Sequence, residues 1–168
     1  MKITDKSVKN LLEAGLVFLG NLQVSNNQLL DIKSWATELL EQGIEPTDAL
    51  VELATLNSST ASSVDVQHFM RELLSTAGYE IPDTEGILKI YLKQVMENIA
   101  SKKLEIEKGL NEVSEIALRL KYPADLVELI AVKHELDDCE LLGFDREELT
   151  NEASKLVRKW LERSLMPS

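Results

Sequence analysis

The chain has two histidines, and each stands among carboxylates. His134 lies in KHELDDCE, Lys133 to Glu140, with Glu135, Asp137, Asp138, Glu140 and the single cysteine, Cys139. His68 follows Asp65 by three residues and precedes Glu72 by four, a spacing that puts all three on one face of a helix. Imidazole beside carboxylate is the raw material of general acid–base catalysis and of metal binding. A helical zinc-protease motif needs a second histidine four residues after the first, and position 138 is aspartate. A di-iron bundle needs two Glu-x-x-His pairs, and neither histidine follows a glutamate by three. With one cysteine, a cysteine-rich zinc site is excluded. Neighbouring acids also oppose forming a thiolate, so Cys139 reads as inert.

No glycine-rich phosphate loop, nucleophile elbow or basic aromatic stripe occurs. The expectation is therefore a protein that is not an enzyme and holds no cofactor or metal. A helical enzyme or metal-dependent hydrolase built on His68 or His134 stands as the alternative, and a generic acidic adaptor as a third.

The elements that must position these residues read as helices. Leu, Glu, Ala and Lys dominate, aromatics are 5%, and no run alternates apolar and polar residues for long. The 168 residues suit one domain of about eight helices in an all-α compact bundle without a sheet. The first is expected from Asp5 to Leu19, interrupted by Gly20 and Asn21. Ser25 or Asn26 caps the second, whose stripe is Leu29, Ile32, Trp35, Ala36, Leu39 and Leu40 and whose end is Gly43. Thr47 caps a short third helix, and NSSTASS after it is the candidate mobile loop. The fourth runs from Ser63 to Gly78. Thr84 caps the fifth, which carries the widest apolar face: Ile87, Leu88, Tyr91, Leu92, Val95, Met96 and Ile99. The sixth continues to Tyr122, where Pro123 stops it. The seventh covers Ala124 to Leu136, and the last opens on Asp145 and Glu148 in the manner of a capping box.

Charge is unevenly spread. The net value is −11, which sets nucleic acid aside as a ligand and favours basic proteins. Residues 125–152 hold ten acids against two cations, and residues 153–168 four cations against one acid. Helix electrostatics accounts for part of that order. The rest marks Asp125, Glu128, Glu135, Asp137, Asp138, Glu140, Asp145 and Glu148 as a surface for a basic protein partner. Tyr122 and Phe144 flank it as apolar anchors. No apolar run is long enough to span a membrane, and the first residues lack a signal-peptide core, so a cytoplasmic location is expected. The lone cysteine fits a reducing compartment.

The run WATELLEQGIEPTDALVELATL (Trp35 to Leu56), then LLSTAGYEIP and ILKIYLKQVMENIASKKLEIEKGLNEVSEIA, resembles small acidic all-helical bacterial immunity proteins of contact-dependent growth inhibition and related polymorphic toxin systems. The likeness spans about residues 29 to 140 and is one of pattern. It implies an antitoxin that binds and neutralises a toxin domain, with a nuclease as the plausible target, and it assigns no binding residue.

Overall fold

A computed structural model describes residues 6–25, 29–57 and 60–164. Among these the fold is all-α: nine helices and one 3₁₀ turn, with no strand. By contact the chain falls into two compact units, Met1–Tyr91 and Leu92–Ser168.

The first unit contains α1 (Lys6–Val24), α2 (Leu29–Glu41), α3 (Asp48–Ala54), α4 (Ser63–Thr76) and the start of α5 (Thr84–Ala100). Packing runs α1 on α2 and α4, and α3 on α2 and α4. Leu12, Leu19, Ile32, Leu39, Leu50, Leu53, Met70, Leu74 and Ile87 are its largest fully buried side chains. Trp35 shows how the sequence makes this core. Gly15 leaves room for its ring, since a Cβ there would sit 2.7 Å from Trp35 Cζ2. Its Nε1 donates to the Leu11 carbonyl at 2.6 Å, so the indole's polar edge is satisfied inside the unit.

The expected break at Gly20 and Asn21 does not occur, and α1 runs through both. Gly20 lies where a Cβ would strike Tyr91 Cβ, so its missing side chain admits a close helix contact. Asn21 is buried and donates through Nδ2 to the Tyr91 hydroxyl, while its Oδ1 has no hydrogen-bond partner among the described residues. Tertiary packing overrides the helix-weakening preference of both residues. The expected Asn26 cap and part of the NSSTASS connector lie outside the described residues. Thr47 caps α3 as expected, accepting from Leu50 N at 3.2 Å. α5 is capped instead by Asp83, whose Oδ1 accepts from Gly86 N at 2.8 Å, and Thr84 is already helical.

The second unit takes the rest of α5, then α6 (Ile106–Arg119), a 3₁₀ turn (Ala124–Leu126), α7 (Val127–Asp137), α8 (Cys139–Leu142) and α9 (Arg146–Ser164). α7 packs on α6, α8 and α9, and α6 also meets α9. Leu110, Val113, Ile116, Leu129, Val132, Leu136, Leu149, Ala153 and Val157 are buried here. All seven residues of the apolar face foreseen on α5 are buried. α6 stops at Arg119, earlier than expected, because Lys121 and Tyr122 adopt left-handed backbone conformations. The four-residue α8 was not foreseen. No helix among the described residues is long and apolar enough to cross a membrane.

Candidate functional site

The acidic segment folds as α7, α8 and the first turns of α9, and the fold divides its carboxylates into two groups. One group is engaged within the unit. Asp125 Oδ2 accepts from Trp160 Nε1 at 2.7 Å, which ties the 3₁₀ turn to α9. Glu128 faces Lys159 at 3.5 Å. Asp137 pairs with Lys133 one helical turn back. Asp145 is the N-cap of α9, its Oδ1 accepting from Glu147 N at 2.8 Å and Glu148 N at 3.4 Å. These contacts explain four of the acids by local or tertiary structure, with no partner needed.

The other group has no ion pair among the described residues: Glu135, Asp138, Glu140, Glu147, Glu148 and Glu152. Glu135 is half-buried and the other five are exposed. Asp138 joins two helices through its backbone, its N–H donating to His134 O and its carbonyl accepting from Leu141 N and Leu142 N. Glu148 and Glu152 line an open hollow of about 640 Å³ along α9, together with Asp145, Glu147 and Lys155.

Apolar residues accompany the unpaired acids. Leu141 is 87% exposed, Leu142 59% and Phe144 49%. Tyr122, whose backbone is left-handed, is 54% exposed. Sequence reading found Phe144 and Tyr122 from their place beside expected loops. It missed Leu141 and Leu142, because CELL reads equally as core and only the position of α8 turns the pair outward.

Cys139 is not among the acids that neighbour it in sequence. It is buried as the inward residue of α8, where its side chain interacts with the Arg146 guanidinium. A hydrogen bond to Glu107, aided by Cys139, holds that guanidinium above its ordinary value. His134 is exposed, with its carbonyl taken by Asp138 N. In the first unit His68 Nε2 lies 3.9 Å from Glu72 Oε2 on the open face of α4, and its ring tilts against Phe69. Asp65 is exposed on the same helix. Among the described residues no three His, Cys, Asp or Glu side chains are grouped to hold a metal ion.

No family model and no solved structure matches the chain. It is similar to a trigger factor of Thermodesulfovibrio yellowstonii, 27% identical over 125 residues, a match that covers 71% of this chain and 28% of that protein. The chain therefore corresponds to less than a third of the relative it matches.

Proposed function

We propose that this chain is a binding protein of the immunity type, which neutralises a basic toxin domain of the nuclease class by covering its active site in the cytoplasm. The observation that supports this reading is the set of unpaired carboxylates on α8 and α9, from Asp138 to Glu152, beside exposed Leu141, Leu142 and Phe144. A nuclease cleft is cationic because its substrate is a polyanion, and a rigid anionic surface meets it with favourable long-range steering. Rim charge sets the rate of encounter, while desolvated apolar anchors hold the complex.

The test is a pull-down from native lysate with the wild-type chain and with Glu140, Glu147 and Glu148 changed to Lys. The expected result is one basic protein at equal stoichiometry, whose association slows at least tenfold in the variant and loses most of its salt dependence. Recovery of the same partner at the same rate by the variant would count against the reading, and so would a partner without toxic activity.

The likeness to trigger factor favours a second reading, in which the chain performs part of that protein's work. Exchanging the chain for the matching 125 residues of the relative decides it: retained trigger-factor activity supports a shared role. Loss of activity by a folded chimera removes it.

A further inference from the structure

A scattered exposed leucine is ordinary on a protein surface, but three large apolar side chains within four residues are not. α8 owes the core only Cys139, so Leu141 and Leu142 are not turned outward as the spare face of a long buried helix. The tip is a defined structure. Gly143 takes the left-handed conformation at φ 72°, and Phe144 N closes the turn on the Cys139 carbonyl at 3.0 Å. Flanking it in sequence, the exposed carboxylates of Glu140, Glu147 and Glu148 lack an ion pair among the described residues, whereas Asp125, Glu128 and Asp137 are already engaged. Apolar projection and unspent negative charge thus coincide.

We propose that Leu141, Leu142 and Phe144, framed by Glu140, Glu147 and Glu148, receive an amphipathic cationic helix of a partner protein. Its apolar side chains seat on the tip and its lysines or arginines on the carboxylates. The proposal rests on the basic-partner reading above and names what that partner must present. Charge complementarity selects this occupant. A second copy of the chain would bring the same acids face to face, and anionic lipid would be repelled by them.

The experiment titrates the full isotope-labelled chain with three synthetic 14-residue helical peptides followed by amide chemical shifts. One carries leucine and lysine on opposite faces, one replaces its leucines with serine, and one replaces its lysines with glutamate. The leucine–lysine peptide is expected to bind with shifts at residues 138–148. Leu141→Ser and Leu142→Ser each weaken it roughly tenfold, the loss of about one buried leucine contact. Both side chains lie outside the core, so the variants keep the wild-type melting curve, which is measured alongside.

Equal binding of the serine–lysine peptide overturns the apolar seat and leaves the basic-partner reading standing. Failure of both lysine peptides sinks both. Shifts that fall in residues 6–91 overturn the placement, and unchanged affinity in the serine variants overturns the anchors. Association with phosphatidylserine vesicles assigns the tip to a membrane, and self-association that Leu141→Ser abolishes assigns it to a second copy. Either result ends the proposal.

Discussion

Two helices in each unit end with the same hydrogen bonds on different residues, glycines in the first and lysines in the second. The four-residue α8 of the second unit keeps a glycine, Gly143. In the first, α2 closes with Gly43 N on Leu40 O and Ile44 N on Leu39 O, and α4 with Gly78 N on Ser75 O and Tyr79 N on Leu74 O. In the second, α5 closes with Lys102 N on Ile99 O and Lys103 N on Asn98 O, and α6 with Lys121 N on Leu118 O and Tyr122 N on Ala117 O. All four are Schellman ends that need one left-handed residue. The φ values are 82° and 86° at the glycines but 59° and 61° at the lysines, and Tyr122 follows at 56°. A side chain in that region costs on the order of 1 kcal/mol, which glycine avoids. The second unit therefore carries local strain that its packing must offset.

The difference extends to where helices touch. A Cβ on Gly20 would meet Tyr91 Cβ and lie 2.9 Å from the Ile87 carbonyl, neither of which can move without the backbone. A Cβ on Gly109 would strike Ile99 Cγ1 and lie 2.5 Å from its Cδ1, so there a side chain must shift but no backbone atom is struck. Gly20→Ala is accordingly expected to cost about 2–3 kcal/mol by urea unfolding. Gly109→Ala should cost less, about 1–2 kcal/mol, because only the Ile99 side chain has to shift and the helix propensity of alanine offsets part of the crowding. Equal losses at the two sites would break the contrast.

Gly43→Ala and Gly78→Ala come next, at about 1 kcal/mol each, since nothing lies within 4 Å of the added carbon and only the backbone conformation resists it. Lys121→Gly should act in the opposite sense, raising stability by about 0.5 kcal/mol after the greater flexibility of the unfolded chain is subtracted. A destabilised Lys121→Gly protein would show that its left-handed backbone is not under strain.

The smallest effect concerns pH. The Tyr79 hydroxyl donates to the Lys9 carbonyl at 3.1 Å, and partial burial, with Glu13 nearby, pushes its pKa above the ordinary 10.0. The folded chain keeps this proton longer than the unfolded one, so the contribution is complete below pH 10 and fades as pH rises through the raised native value. Melting temperatures from pH 9 to 11 should fall slightly more steeply for wild type than for Tyr79→Phe. Parallel slopes would remove Tyr79 as the cause.

These helix ends also explain what the sequence disclosed. Gly43 and Gly78 announce their ends by residue type, and the stripe through Ile32, Trp35, Ala36 and Leu39 announces the face between. Lys121 announces nothing, so the end of α6 was placed at the next legible signal, Pro123. Gly20 was misread for the converse reason: its local meaning is a break, and only Tyr91, far along the chain, gives it another. The acidic segment was visible as composition, but which of its acids are engaged depends on Trp160 and Lys159 arriving from α9. Periodicity and local residue type therefore carried the all-α architecture, and long-range partners decided the composition of the candidate surface.

Each unit also contains one indole, held differently. Trp35 is enclosed with its N–H on a carbonyl, whereas Trp160 is half-exposed with its N–H on the Asp125 carboxylate. Intrinsic fluorescence thus offers two built-in optical reporters. Trp35→Phe leaves a redder emitter confined to the second unit, and Trp160→Phe a bluer one confined to the first, so loosening of either half can be watched separately without attaching a dye.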